Sequence, residues 1–188
     1  MIKINGHPIK SFVFPAGEVQ VKLPMDHIKG AKLLRIDARI SSSDDFMSLL
    51  LVASAIHHHH QRFFDIDLET HLVIHYLPYA RQDRVCSNGE AFSLDMILGL
   101  LLRNFDIIEV TDIHNPKIIE NDERIWHNDV LGILLQNKKW FEGIDLLVAP
   151  DKGSINKVTQ ISGAFEIPMV HADKVRNPED GKITSYEL

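Results

Sequence analysis

Along most of its length the chain alternates short apolar runs with amphipathic stretches of helical spacing. In "SFVFPAGEVQVKL", Ser11 to Leu23, a turn signal at Pro15-Ala16-Gly17 is followed by Val19, Val21 and Leu23 at alternate positions, which predicts a strand. "AKLLRIDARI" predicts another over Lys32–Ile36, leaving towards a polar loop. Phe46, Leu49, Leu50, Ala53 and Ile56 then recur at helical spacing behind Ser43 and Asp44, the candidate N-caps, with acids in the first turn where the macrodipole favours them. "THLVIHYL" predicts a strand. "SLDMILGLLLRNF" predicts a second helix, capped by Ser93, with Leu94, Ile97, Leu98, Leu101 and Leu102 as its apolar stripe. "DIIEVTDIH" reads as a strand, "NDVLGILLQN" as a short helix and "IDLLVAPDKG" as a strand broken at Pro150. "SINKVTQISGAF" is a helix with Ile155, Val158, Ile161 and Phe165 on one face, and "IPMVHADK" is a strand again.

Helix followed by strand, repeated from Asp44 onward, predicts an α/β fold: a mainly parallel sheet with helices on both faces. The polar stretch "NKKWFEGID" separates two αβ groups. It sets the expected domain boundary, giving 1–140 and 141–188.

Composition narrows the class. With 188 residues, 45% hydrophobic and 24% charged, the chain has the make-up of a globular protein able to bury a core. A formal net charge of -6 argues against a partner in bulk nucleic acid, while leaving room for a local basic pocket. The lone cysteine, Cys86, rules out an intrachain disulfide, argues strongly against a cysteine-based zinc site, and points to a reducing compartment. "MIKINGHPIK" has no apolar signal-peptide core, and "FMSLLLVASAI" is far short of the roughly 20 residues that span a bilayer. A cytoplasmic protein with no membrane partner is expected.

Ligands of open α/β sheets bind beyond the carboxyl ends of the strands, and three such ends here are rich in functional groups. "VAPDKGS" would aim backbone N–H groups at a phosphate, with Asp151 either holding magnesium or capping the following helix. "TDIHN" offers Asp112 and His114, which share a side of the sheet if the strand runs on through them. "HYLPYARQDRV" packs Arg81, Gln82, Asp83 and Arg84 together. Guanidinium groups suit phosphates and stack on purines, while a solvated charged loop is the plainer reading. Together the three ends favour a nucleotide site. His57 to His60 are consecutive, so only His57 and His60 share a helix face, and a helix C-terminus that accepts cationic side chains accounts for them better than a metal. Trp126 and Trp140 are expected to be packing residues.

In their order, these motifs resemble ribose-phosphate diphosphokinase, the family that makes phosphoribosyl pyrophosphate. "PYARQDR" (Pro78 to Arg84) is similar to its most recognisable signature. "FPAGEVQV", "TDIHN", "VAPDKG" and "HADKVR" extend the resemblance over nearly the whole chain. The resemblance implies a phosphoribosyltransferase-like fold and transfer of the β,γ-diphosphoryl group of ATP to the 1-hydroxyl of ribose 5-phosphate, with Mg2+, releasing AMP. It implies that Arg81, Gln82 and His114 hold the nucleotide, and that Phe14 and Glu18 reach adenine from a neighbouring subunit of a dimer or hexamer. It also implies that His114 and Asp151 serve the magnesium–ATP complex. Lys174 and Arg176 would be the catalytic basic pair on a flexible loop, stabilising charge on the transferring phosphates.

The chain departs from the family pattern at Ala16, at Asn115 where the family has Ala, and at Lys152-Gly153-Ser154 in place of a glycine-rich turn. Val85-Cys86 interrupts the basic run, and Ala91 stands where Pro is usual. No paired Asp followed by Gly-Thr, the expected acceptor loop, occurs in the 188 residues. Two expectations follow: a fragment of a longer diphosphokinase, or a non-catalytic nucleotide-binding relative that regulates a partner.

Overall fold

The structure, a computed structural model, describes residues 1–63, 68–176 and 183–187. Contacts divide the chain into two compact units, Met1–Asn128 and Asp129–Leu188.

The first unit is built on β1 (Ile2–Ile4), β2 (His7–Pro8), β5 (Leu33–Arg39), β6 (Glu69–Tyr76), β7 (Ile107–Thr111) and β8 (Ile125–Asn128), in the spatial order β2-β1-β5-β6-β7-β8. β5 through β8 run parallel, and β1 pairs antiparallel with both β2 and β5. β6 is central, and its consecutive Leu72, Val73 and Ile74 are all buried. β5–β6 and β6–β7 are bridged by α2 (Ser43–Phe63) and α3 (Ser93–Asn104), the expected strand–helix–strand units, while β7 and β8 are joined through a short 3-10 turn, Pro116–Ile118.

Ile36, Ala38, Leu72, Ile74, Ile108 and Val110 form one core cluster with Phe46, Leu49 and Val52 of α2 and Leu94, Ile97 and Leu101 of α3. Both helices therefore pack on the same face of the sheet. Val73 stands outside that cluster, on the opposite face. There the Arg35 guanidinium meets Asp37 at 3.2 Å and the His71 Nε2 lies 3.2 Å from Glu109, to which Asn128 also donates. Trp126 sits edge-on to His71 with 5.2 Å between ring centres. The expectation that the tryptophans serve packing is corrected: Trp126 is 51% exposed and Trp140 59%.

The caps also differ from expectation. Asp45 N–H donates to the Ser42 hydroxyl at 3.1 Å and Phe46 N–H to the Ser42 carbonyl, so Ser42 caps α2, one residue before Ser43. The Asp45 carboxylate reaches back to the N–H and hydroxyl of Ser41 at 2.9 and 2.6 Å, in the manner of a capping box. These bonds, the Ser41 hydroxyl first, hold the Asp45 carboxyl below the ordinary carboxylate range. Ser93 is the first helical residue of α3 rather than its cap; Phe92 stands at the cap and offers no side-chain bond. Instead Leu94 N–H donates to the Gln82 carbonyl at 3.2 Å, so the polar loop itself satisfies a helix-end donor.

A separate two-stranded hairpin, β3 (Lys10–Val13) and β4 (Val19–Lys22), precedes a short α1 (Met25–Ile28), and β4 packs against α2. The second unit contains α4 (Val130–Gln136), capped by the Asp129 carboxylate on Leu131 N–H. It continues as β9 (Leu147–Ala149), α5 (Ile155–Phe165) and β10 (Met169–His171), a parallel βαβ unit. Of the stripe expected on α5, Ile161 is buried, while Ile155, Val158 and Phe165 are half-buried. The strand expected over "IPMVHADK" breaks at Ala172. Beyond it β11 (Asp173–Arg176) pairs antiparallel with β12 (Ile183–Glu187).

Candidate nucleotide site

The carboxyl ends of β6 and β7 open onto the two loops that carry the most polar chemistry. After Tyr76 the chain turns through Tyr79, whose φ of 62° is a left-handed conformation that a bulky residue rarely adopts. Gln82 N–H closes that turn on the Tyr79 carbonyl at 2.9 Å. Beyond it Arg81, Gln82 and Arg84 are exposed and Asp83 is half-buried.

β7 stops at Thr111. Asp112 has φ 50°, so the strand does not continue through it, and the side-by-side arrangement expected of Asp112 and His114 on one sheet face is not formed. Asp112 N–H instead donates to the Asn128 carbonyl at the end of β8. Ile113 is buried, which leaves His114 exposed and turns Asn115 towards the neighbouring loop. There the Asn115 Nδ2 donates to Asp83 Oδ2 at 2.9 Å, a bond across 32 residues of sequence. That bond, with the charges of Arg84 and His114, holds the Asp83 carboxyl below its ordinary value. The structure thus brings Arg81, Gln82, Asp83 and Arg84 to the same sheet edge as His114 and Asn115. Asn115 is the residue that reasoning from spacing missed as a site member. Its departure from the family's alanine was the one signal available.

Further along the first loop, the Glu90 carboxylate accepts the N–H groups of Cys86 and Ser87 at 2.8 and 2.9 Å, closing a tight polar turn. These bonds hold its carboxyl low as well.

Phe14 and Glu18 meet at the tip of the hairpin. Gly17 N–H bonds the Phe14 carbonyl and Phe14 N–H bonds the Glu18 carbonyl, both at 2.8 Å. Pro15 enters the turn and Gly17, at φ 91°, leaves it, which is the three-residue hairpin with a glycine bulge. Phe14 is 46% exposed and packs edge-on against Phe12 at 5.2 Å, leaving an aromatic tip in solvent.

In the second unit the Pro-Asp-Lys-Gly-Ser loop joins β9 to α5. The Asp151 Oδ1 accepts Ser154 N–H at 3.0 Å, and the Ser154 hydroxyl donates to the Asp151 carbonyl at 2.7 Å. Asp151 therefore shapes the entry to the helix. Lys152 pairs with Asp173 at 3.8 Å, across to β11. Lys174 and Arg176 stand on β11, a paired strand rather than a loop, and their side chains lie outside the described residues, as does that of His60. Among the described residues no group of three or more His, Cys, Asp or Glu side chains could by itself hold a metal ion. No described helix is long and apolar enough to cross a membrane.

A mainly parallel sheet with its polar loops gathered at the carboxyl edge defines an α/β protein. The crystal structure of phosphoribosylpyrophosphate synthetase from Mycobacterium smegmatis matches this fold with a TM-score of 0.68 at 19% identity, over 90% of this chain and 57% of that one. No family model matches the chain. Curated relatives do. The ribose-phosphate pyrophosphokinase of Pyrococcus abyssi is 35% identical over 108 residues, 56% of this chain and 37% of the relative. That of Pyrococcus furiosus is 31% identical over 122 residues, 62% and 43%. Ribose-phosphate pyrophosphokinase 2 of Archaeoglobus fulgidus is 25% identical over 158 residues, 84% and 50%. Over these stretches the chain is similar to ribose-phosphate pyrophosphokinases, and it spans half or less of the length of these three relatives.

Proposed function

We propose that the chain carries out, or forms part of the unit that carries out, diphosphoryl transfer from ATP to the 1-hydroxyl of ribose 5-phosphate. The observation that carries this reading is the convergence of Arg81–Arg84 with His114 and Asn115 at one sheet edge, locked by the Asn115–Asp83 bond, in a homologue of enzymes that bear that name. Two exposed guanidinium groups and an imidazole suit the charged tail of a nucleotide, and Gln82 supplies an amide for a polar edge of the base or sugar.

In the reaction the ribose oxygen forms a bond to the β-phosphorus while the bond from that phosphorus to the α,β-bridging oxygen breaks. AMP leaves, and the hydroxyl proton passes to solvent. Such transfers depend on positioning and on cations that stabilise charge spread over phosphate oxygens. Lys174 and Arg176 are assigned that second task, and Phe14 with Glu18 the adenine of a neighbouring copy in a homo-oligomer. The hairpin tip, where Phe14 and Glu18 are both exposed and joined by a backbone bond, supports this last assignment.

Magnesium, when bound with ATP, would neutralise the phosphates. It prefers oxygen ligands, takes one or two carboxylates and keeps several waters, so the Asp151 carboxylate fits it better than the His114 imidazole. His114 is assigned to the nucleotide.

The test is direct. The protein is incubated with magnesium, ATP and ribose 5-phosphate, and AMP and phosphoribosyl pyrophosphate are followed by chromatography. Equal yields of both, abolished by Lys174→Ala, are expected. Nucleotide binding with no AMP formed would replace this reading with that of a non-catalytic, nucleotide-binding relative.

A further inference from the structure

Asp83 poses an electrostatic problem for any phosphate site built on its neighbours. It lies between Arg81 and Arg84 in sequence, within the loop whose cations would have to meet an anionic ligand. A carboxylate beside two guanidinium groups is their natural internal partner, and an internal ion pair would compete with phosphate for the same donors. Yet among the described residues neither Arg81 nor Arg84 forms an ion pair; the described pairs lie elsewhere. The Asp83 carboxylate instead accepts the side-chain amide of Asn115 at 2.9 Å. Asn115 is itself fixed by its place between buried Ile113 and the helical turn Pro116–Ile118. The opposite flank of the loop is tied down by backbone bonds, from Gln82 N–H to Tyr79 and from Leu94 N–H to Gln82.

We infer that Asn115 is a positioning residue, an electrostatic latch that holds Asp83 off its flanking arginines and so keeps Arg81 and Arg84 available to the phosphates of a bound nucleotide. The amide suits this role because it donates a hydrogen bond to the carboxylate without bringing a net charge to the site. An alanine at 115 cannot make the bond. The inference rests on the nucleotide reading for its consequence, but not for its geometry.

Two measurements keep these apart. The first needs no ligand: the arginine Nε–H signals of the whole protein are followed by nitrogen–proton NMR, in wild type and in Asn115→Ala. Release of Asp83 is expected to shift an Arg81 or Arg84 Nε–H signal and slow its exchange with solvent as the new ion pair forms. Unchanged arginine signals would overturn the latch. Asn115→Ser, a smaller change, serves if the alanine variant folds poorly.

The second measurement is ATP affinity by calorimetry. Asn115→Ala is expected to weaken it about two- to fivefold, the worth of an exposed ion pair that must first be broken. Asp83→Asn in the Asn115→Ala background should restore it, because the competing charge is gone. Weakening that the double variant does not repair would mean that Asn115 merely supports the loop, and the inference fails. Absence of ATP binding in wild type would sink the nucleotide reading, while the arginine signals still decide the latch.

Discussion

Gly17 at the hairpin tip offers a clean test of how backbone geometry presents Phe14 and Glu18. Its φ is 91°, and a Cβ built on it meets no atom within 4 Å, so an alanine there is limited by conformation and not by space. A left-handed conformation costs an L-residue about 1–2 kcal/mol. Against this, alanine loses less backbone freedom than glycine when ordered, which returns about 0.5–1 kcal/mol. The strain wins by a margin of about 0.5–1 kcal/mol, equivalent to a two- to fivefold rise in the population of the opened tip.

Native-state hydrogen exchange reads this directly at the Phe14 amide, which bonds the Glu18 carbonyl at 2.8 Å when the hairpin is closed. Gly17→Ala should speed exchange there by that factor and leave the amides of β6 untouched. Gly17→Asn should fall between glycine and alanine, because Asn tolerates the left-handed region, and Gly17→Val should be worst. Equal protection in the alanine and wild-type proteins would refute the argument from handedness, and so would an asparagine variant more labile than the alanine one.

The remaining predictions concern stability and acid. Thr70 donates its N–H and hydroxyl to Asp106 Oδ2 at 2.8 and 2.7 Å, and its hydroxyl accepts Asp106 N–H at 3.0 Å, tying the start of β6 to the entry of β7. Thr70→Val keeps the shape and removes the hydroxyl, and should cost about 1–3 kcal/mol in urea unfolding with an unchanged slope. Asp45 has its carboxyl held below the ordinary 3.8 in the folded state, mainly by the Ser41 hydroxyl. The stability this provides is complete above the unfolded value and is lost as pH falls through the lower folded one. Wild type should therefore lose urea resistance on acidification below that range by more than Asp45→Asn does. Equal acid sensitivity would show that the cap contributes nothing through its charge.

The periodic elements were legible because their signals are local. The apolar stripes of α2 and α3 and the run in β6 follow from the spacing of residues that share a core face. What escaped the pattern has specific physical causes. β8 buries one residue, Ile125, and exposes the next three, so it carries no alternation to read. β1 is three residues long, too short for a period. Three consecutive serines, Ser41 to Ser43, are chemically equivalent as caps, and the choice of Ser42 depends on Asp45 folding back onto Ser41. Trp126 was expected inside because of its residue type, but it lies on the sheet face that α2 and α3 leave to polar groups. In the site, the charged loops could be found from sequence, but their joining could not. The bond between Asn115 and Asp83 spans 32 positions, with α3 and β7 between them, and nothing local to either residue announces the other.

Backbone strain explains why that joining occurs where it does. Four non-glycine residues adopt positive φ among the described residues: Asn5, Tyr79, Asp112 and Glu166. Two have ordinary reasons. Asn5 precedes Gly6 in the tight turn between β1 and β2, where both central positions need positive φ, and Glu166 is the residue that ends α5. Tyr79 and Asp112 neither end a helix nor sit in a two-residue hairpin. Each follows a parallel strand, β6 or β7, and each comes just before the charged residues of its loop. Such conformations cost about 1–2 kcal/mol each for a non-glycine residue, and they persist where surrounding contacts fix them. Without those reversals the loops would leave the sheet along their own strands. With them, the segment from Arg81 to Arg84 comes within hydrogen-bond reach of Asn115, beside His114. The strain and the long-range bond are two parts of one arrangement, which joins the two loops at the carboxyl edge of the sheet.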